Sequence, residues 1–281
     1  MPRFLALTLA LTLSPVAARA QLAIDVHGGI GFVSQYVDRG VILSSEPVLQ
    51  PRLDIGLPVG GGSFGISVLA TVQPLSLDST RYFGMTSGKT PSLTEARPAI
   101  SLSQRFGPMR FSWGAEGRLY LAKTGITKSA NTVSFVTSLG APDVPFAPKL
   151  TFAYDAGGIT GPYFEGELRQ VARIAKGVAF TVGGRAGYAV DQTADTTVAA
   201  FAPYTRTGFT HLDLTAGALL TVAGAMVSPY ITYTCVPNPL VPAVGPARQL
   251  DHVLWVGMTL AVGGRFPKPP KPAQPAQPIA K

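Results

Sequence analysis

Apolar and polar residues alternate over residues 49–73, and this alternation limits the possible folds more than any other feature of the sequence. Leu53 has the apolar parity and Arg52 the polar one, and after the three glycines at 60–62 the pattern resumes over 64–72. Successive side chains of a strand point to opposite faces, so the stretch predicts a β-hairpin with one apolar and one polar face. A soluble sandwich turns its apolar face inward, whereas a membrane barrel turns it outward.

The charge content favours the membrane barrel. Charged residues make up 14% of the chain, compared with roughly 25% in an ordinary soluble domain. A soluble sandwich needs charge on its outer surface, yet no apolar run beyond Leu13 is long enough for a membrane-spanning helix. A closed barrel satisfies both observations, because only every second residue has to be apolar. The sequence therefore predicts an all-β fold, a transmembrane antiparallel up-and-down β-barrel.

The alternation predicts twelve strands, with ten or fourteen as the alternatives. The expected strands are 22–37, 47–59, 63–73, 95–106, 109–122, 132–140, 148–156, 162–174, 178–190, 207–222, 227–236 and 251–266. Pro51, Pro98 and Pro229 fall inside these runs, where a proline lacks the amide hydrogen that a paired strand donates. We expect a nearby strand end or a bulge to accommodate each of them.

The connections between the runs alternate in length. The tight ones lie at 60–62, 107–108, 175–177 and 223–226, and the long ones at 38–46, 74–94, 123–131, 191–206 and 237–250. Short turns on one side and long loops on the other are typical of an outer-membrane barrel, and a Greek-key sandwich gives no reason for them. Whether 74–94 folds inward as a plug or stays at the surface is left open.

The two ends of the chain predict its location. Residues 1–20 combine a basic start at Arg3, a short apolar run and a small-x-small cleavage site, which is the pattern of a signal peptide. Residues 21–266 then form the barrel. Residues 267–281 are rich in Pro and Lys and favour extended polyproline II. We expect the outer membrane, with its lipids around the barrel and the barrel-assembly machinery as a partner during biogenesis; the tail acts as a spacer or contacts peptidoglycan or a periplasmic protein.

The stretch VSQYVDRGVILSSEPVLQPRLDIGLP at 33–58 resembles the start of the TorF-like porin family of Gram-negative outer membranes. The matching positions are Ser34, Tyr36, Arg39, Gly40, Pro47 and Gln50. The sequence departs from that pattern at Asp38, where family members often carry an aromatic residue. The resemblance covers about one tenth of the chain and implies a barrel that acts as a pore.

If the apolar parity meets lipid, the other parity lines the lumen, and nearly all charge on the strands has that second parity. A charge on the lipid face near the midplane would cost about 2–4 kcal/mol. The predicted pore-lining residues are Arg52, Asp54, Arg97, Glu116, Arg118, Glu165, Glu167, Arg169, Arg185, His211 and Asp213. Such a lumen is either a hydrated channel for small hydrophilic solutes or is filled by ion pairs and conducts little.

Two other functions remain as alternatives: a non-conducting scaffold that binds a partner through its loops or tail, and a membrane-embedded hydrolase. His211 and Asp213 share a face, so the carboxylate could orient the imidazole, but no G-x-S-x-G supplies a nucleophile. Metal and phosphate-loop motifs are absent from the sequence, and its net charge of +8 is not gathered into basic, aromatic clusters. We expect no enzyme activity, no cofactor or metal and no nucleic-acid partner, and Cys235 as a small apolar side chain.

Overall fold

The computed structural model describes residues 23–44, 46–73, 92–121, 131–194, 207–236 and 252–266. The predicted signal peptide at 1–20 and the tail at 267–281 lie outside the described residues, as do residues 74–91 of the loop that was considered as a plug. In the described part of the chain, no helix is long and apolar enough to cross a membrane.

Twelve antiparallel strands form one closed sheet, as the alternation predicts. They are β1 (Ile24–Val33), β4 (Val48–Val59), β5 (Gly62–Gln73), β6 (Ser92–Phe106), β7 (Met109–Tyr120), β8 (Thr132–Gly140), β9 (Lys149–Gly157), β10 (Ile159–Ala175), β11 (Val178–Ala189), β13 (Gly208–Val222), β14 (Ala225–Cys235) and β15 (His252–Phe266). Three short strands lie between them: β2 (Tyr36–Asp38), β3 (Val41–Ser44) and β12 (Thr193–Ala194). The first and last long strands pair from Ile24 with Phe266 to Val33 with Gly257, which closes the barrel.

The apolar parity faces outward. On β5, Ile66 and Val68 are each 42% exposed, whereas Thr71 and Gln73 are 1% and 6% exposed. The same holds around the barrel, where the exposed large side chains include Leu53, Ile100, Phe135, Leu214 and Val256. A folded chain places its largest apolar side chains outside only when the surroundings are apolar. The hairpin at 49–73 therefore turns its apolar face to lipid.

Each of the three strand prolines lies where one side of the sheet ladder is interrupted. Pro51 pairs with Ile30 on β1, while the register with β5 skips from Leu49 to Arg52. Pro98 pairs with β5, while the register with β7 skips from Ala96 to Ala99. Pro229 likewise pairs with β15 and falls in the gap between Val227 and Tyr230 in the register with β13. The missing amide hydrogens thus fall at breaks in the pairing, and a shift of the strand ends is not needed.

The structure corrects the prediction at the first strand and the first long loop. The strand expected over 22–37 ends at Val33, and the chain then bends into the barrel instead of continuing along its wall. Residues 34–47, called the inner hairpin below, contain β2 and β3, which pair only with each other in the described sheets. The polar groups of Tyr36 and Asp38 bind partners inside the lumen, and the free energy of these contacts outweighs that of continued pairing in the wall.

Candidate functional site: the barrel lumen

The tip of the inner hairpin is a two-residue turn. Arg39 and Gly40 both have positive φ, 49° and 79°, which is the backbone of a type I′ β-turn and matches the twist of the flanking strands. A Cβ built on Gly40 would lie 2.5 Å from the carbonyl oxygen of Thr210 on β13. Glycine is therefore required twice, by its dihedral angle and by its contact with the far wall.

The body of the hairpin is buried in the lumen. Val41 and Leu43 have no exposed surface, and the Ser34 amide donates a 2.9 Å hydrogen bond to the carbonyl of Val256 at the hairpin base. Near the other base, the Gln73 amide donates a 2.9 Å hydrogen bond to Glu46. Both apolar burial and polar contacts thus hold the hairpin inside the barrel.

One ion-pair cluster joins the hairpin to β6 and β7. Asp38 Oδ2 lies 3.1 Å from Arg118, and Asp38 Oδ1 lies 3.3 Å from Arg97. Burial would raise the pKa of Asp38, but the positive charges of Arg118 and Arg97 outweigh it and hold that pKa well below its usual range. The Tyr36 hydroxyl donates a 2.7 Å hydrogen bond to Glu95, whose other oxygen accepts one of 2.8 Å from Arg97. Arg97 also donates to the Tyr36 hydroxyl.

A second cluster holds the tip of the hairpin. The guanidinium of Arg39 forms an ion pair with Asp155 on β9 and lies 4.0 Å above the ring of Tyr163 on β10. The Asp155 carboxylate also accepts hydrogen bonds of 2.5 Å from Ser134 and 2.9 Å from Gln192. The short strand β12 brings Gln192 over β10 to this site. A buried carboxylate with this many donors is fully satisfied.

A third cluster lies on the wall between β10 and β14. Asp213 accepts hydrogen bonds of 3.0 and 2.5 Å from Arg185 and one of 2.8 Å from Thr234. Arg185 also lies 3.9 Å from Glu165. The Nε2 atom of His211 is 3.7 Å from the Asp213 carboxylate. These contacts, like those of the hairpin, occupy the half of the lumen that adjoins the long loops, called the long-loop half below.

The structure divides the predicted pore-lining residues into two groups. Six belong to the ion-pair clusters of the long-loop half: Arg97, Arg118, Glu165, Arg185, His211 and Asp213. Glu116 lies beside them, 4.0 Å from Arg97. The other four lie toward the tight turns, in the short-turn half, where Arg52 pairs with Asp54 at 2.7 Å and Glu167 and Arg169 line a common cavity. That these residues line a conducting pore remains a prediction.

The sequence reasoning missed the contribution of the inner hairpin. Asp38 and Arg39 fall in the long connection predicted at 38–46, and Gln192 in the one predicted at 191–206. A signal for the hairpin was present in Asp-Arg-Gly-Val at 38–41, because a glycine after a polar residue between apolar ones favours a tight hairpin turn. Asp38, where the sequence departs from the pattern that it resembles, supplies the carboxylate that Arg97 and Arg118 bind.

The short-turn half is more open than the long-loop half. Ser101, Arg110, Lys149 and Arg169 are exposed there, and a cavity of about 430 Å³ lies among them. A second cavity of about 300 Å³ includes Tyr230 and Trp255, whose rings meet edge to face at 5.6 Å. The barrel is thus packed with ion pairs at one end and contains open cavities at the other.

The residues considered for a hydrolase face the lumen. His211 is 1% exposed and its Nδ1 atom is 2.9 Å from the hydroxyl of Thr210. Asp213 bonds mainly to Arg185 and Thr234. In the described ranges no group of three His, Cys, Asp or Glu side chains could hold a metal ion. The absence of catalysis and of a cofactor remains a prediction.

Comparisons with known proteins identify the architecture. No family model matches the sequence, so the resemblance of 33–58 to the TorF-like family remains a prediction, and no curated protein matches it. The COG4313 outer membrane channel from Pseudomonas putida F1 superposes with a TM-score of 0.50 at 8% identity, covering 90% of this chain and 100% of that one. The NanC porin superposes with a TM-score of 0.47 at 8% identity, covering 85% of this chain and 98% of that one. LpxR from Salmonella typhimurium superposes with a TM-score of 0.47 at 7% identity, covering 84% of this chain and 99% of that one. At these identities the likeness concerns the fold alone: the chain has the fold of a Gram-negative outer-membrane β-barrel.

Proposed function

We propose that the protein is an outer-membrane channel that passes small hydrophilic solutes passively, with a conductance limited by the inner hairpin. The observation that carries the proposal is the polar lumen of a closed barrel, whose short-turn half is lined by exposed charged and hydroxyl side chains. Long loops of outer-membrane barrels face the cell exterior. The hairpin therefore narrows the outer mouth, and the open half faces the periplasm.

The contacts of the hairpin support a narrow pathway. Tyr36 reaches β6, Arg39 reaches β9, and Gly40 lies against β13. A solute that enters from outside must pass between this hairpin and the wall. The ion pairs at the constriction present fixed charges of both signs, which bind water and favour polar solutes over apolar ones.

The attachment of the hairpin also supports movement. Its two strands form a sheet of their own, and in the described residues no ladder joins that sheet to the wall. Side-chain contacts and the burial of Val41 and Leu43 hold it in place. A segment held in this way can shift without breaking the barrel, because the barrel ladder continues from β1 directly to β4.

Planar-bilayer recording tests the proposal. The wild-type protein is expected to give small, resolvable conductance steps, and a variant in which a short Gly-Ser linker replaces residues 35–46 is expected to give steps several times larger. The variant Lys176→Ser, which removes a charge from a tight turn, serves as the control and should match the wild type. The absence of steps from both wild type and linker variant, each folded as a barrel, would refute a channel.

The burial of the ion-pair clusters favours one alternative, a non-conducting scaffold. Glu95 has no exposed surface and Asp155 is 1% exposed, which is what a permanently filled lumen would require. Under this alternative the linker variant conducts while the wild type never does, and deletion of residues 267–281 abolishes the binding of a periplasmic partner. A channel keeps its conductance after that deletion.

A further inference from the structure

Ion pairing differs between the two halves of the lumen. In the long-loop half, Arg39, Arg97 and Arg185 each form an ion pair with a carboxylate, and so does Arg118. In the short-turn half, three basic side chains that line one cavity lie within 4 Å of no carboxylate among the residues that the structure describes. They are Arg110 on β7, Lys149 on β9 and Arg169 on β10.

These three cations line one cavity of about 430 Å³. The only carboxylate in its lining is that of Glu167, so the lining carries three positive charges and one negative, a net charge of +2. Charges of one sign in a concave, low-dielectric wall reinforce one another and attract ions of the opposite sign. The cavity therefore favours a small anion of about two negative charges.

Serine hydroxyls supply uncharged donors to the same cavity. Ser103 on β6 lies opposite Ser112 on β7, which lies opposite Ser138 on β8. The hydroxyl oxygens of Ser112 and Ser138 are 2.6 Å apart, and those of Ser63 and Ser103 are 2.9 Å apart. Each such pair uses one of its two hydroxyl hydrogens, so the other can be donated to a ligand.

We propose that this cavity is a binding site for small oxygen-bearing dianions, of the phosphate or dicarboxylate type. A strongly hydrated dianion enters such a site only if donors replace its lost water. Arg110 and Arg169 can each donate two parallel hydrogen bonds to an oxyanion, Lys149 acts as a point charge, and the serine hydroxyls complete the set. Chloride gains less there, because it cannot accept paired hydrogen bonds from a planar guanidinium.

This site rests on the proposed channel in so far as it names the class of solute that the channel would pass. The site itself opens to the short-turn end of the barrel. A dianion can reach it without passing the inner hairpin. Binding can therefore be measured whether or not the barrel conducts, and a failure of one proposal is distinguishable from a failure of the other.

Isothermal titration calorimetry of the folded barrel in non-ionic detergent tests the site. The probes are inorganic phosphate, at a pH at which it is a dianion, succinate, and chloride at matched ionic strength. Phosphate or succinate is expected to bind, and each of the variants Arg110→Gln and Arg169→Gln to weaken that binding about tenfold or more, since a charge-assisted hydrogen bond is lost. Which dianion binds more tightly identifies the type of oxyanion.

Two controls separate this site from general lumen electrostatics. Arg52→Gln removes the same charge from the lumen wall, but Arg52 does not line this cavity. Because salt screens charges outside the site, binding should change less than about twofold. Folding is checked in every variant by the heat-modifiable gel migration of a barrel. Loss of affinity in Arg52→Gln equal to that in Arg169→Gln, or no difference between the dianions and chloride, would overturn the proposal.

Discussion

The guanidinium of Arg39, at the tip of the inner hairpin, forms an ion pair with the carboxylate of Asp155 on the opposite wall of the barrel. The hairpin leaves the wall at β1, and β9, which carries Asp155, stands six places away in a ring of twelve strands. A segment that starts on one side of the lumen is thereby fixed to the other side. This contact fixes the tip of the hairpin to the wall opposite β1, while Tyr36 and Asp38 fix its body to β6 and β7.

The variant Arg39→Ala should release the hairpin tip. The Asp155 side chain is 1% exposed, and removal of one partner of a buried pair costs about 3–5 kcal/mol because the other charge is left uncompensated. That cost falls only on the seated state, so we expect the hairpin tip to move away from β9 and water to reach the carboxylate. Larger conductance steps and faster proteolysis within 34–47 are the measurements.

The exposed pair of Arg265 and Asp25 provides the matched control for that experiment. Its atoms are 2.8 Å apart, but it lies in water at the short-turn end, where an ion pair contributes little. Arg265→Ala should leave conductance and proteolysis unchanged. Equal behaviour of the two variants would mean that the contact of Arg39 with the far wall does not hold the hairpin.

Replacement of Gly40 by alanine tests the seating of the hairpin by a second route. The residue has φ +79°, and the added Cβ would lie 2.5 Å from the carbonyl oxygen of Thr210. Gly60 is the matched control, because its φ is +58° but nothing lies within 4 Å of a Cβ built there. Both variants incur about 1–2 kcal/mol of backbone strain, so any additional effect at Gly40 reports the contact with β13.

The measurement for the two glycine variants is the single-channel conductance, together with urea unfolding of the barrel in lipid vesicles. Gly40→Ala is expected to enlarge the conductance steps, whereas Gly60→Ala is expected to lower the unfolding midpoint slightly and to leave the steps unchanged. If Gly40→Ala conducts like the wild type, the close packing of the turn against Thr210 is not what closes the lumen.

The barrel was predictable because each strand carries the information on its own orientation. The alternation of neighbouring residues alone separates Ile66 and Val68 from Thr71 and Gln73. Because a charge in lipid is costly, only one orientation of each strand is possible, with its polar side chains toward the lumen. The number of strands follows by repetition of the same argument. Neither step requires knowledge of a distant contact.

The inner hairpin was not predictable by the same reasoning. Gln35 and Tyr36 fall on the polar and the apolar parity of β1, so the local period alone extends the strand. The partners of the hairpin residues lie far along the chain: Glu95 is 59 residues from Tyr36, and Asp155 is 116 residues from Arg39. Only the folded barrel brings those carboxylates next to the hairpin. The breaks in the ladder beside Pro51, Pro98 and Pro229 depend on the neighbouring strands in the same way.

Mild acid should not open the hairpin through Asp38. Because its pKa in the folded protein is lowered, its contribution to stability is complete above the unfolded pKa of about 3.9 and is lost only as the pH falls through the lower, folded value. The groups that face it, Arg97, Arg118 and Arg39, remain charged throughout that range. Conductance recorded between neutral pH and about pH 4.5 should show no pH-dependent change in the wild type that is absent from the variant Asp38→Asn. A wild-type transition within that range, absent from Asp38→Asn, would contradict the assignment.

Adjacent residues on β13 test the orientation of the whole barrel. Leu214 is 54% exposed on the outer face, whereas Thr215 faces the lumen, with its hydroxyl 2.9 Å from that of Thr232. Leu214→Arg places a charge in lipid and should lower the free energy of unfolding by about 2–4 kcal/mol near the midplane. Thr215→Arg places the same side chain in a cavity of the lumen that Glu167 and Asp213 also line, and should change that free energy by less than about 1 kcal/mol. Urea titration in lipid vesicles measures both, and a larger loss for Thr215→Arg than for Leu214→Arg would reverse the assignment of the two faces.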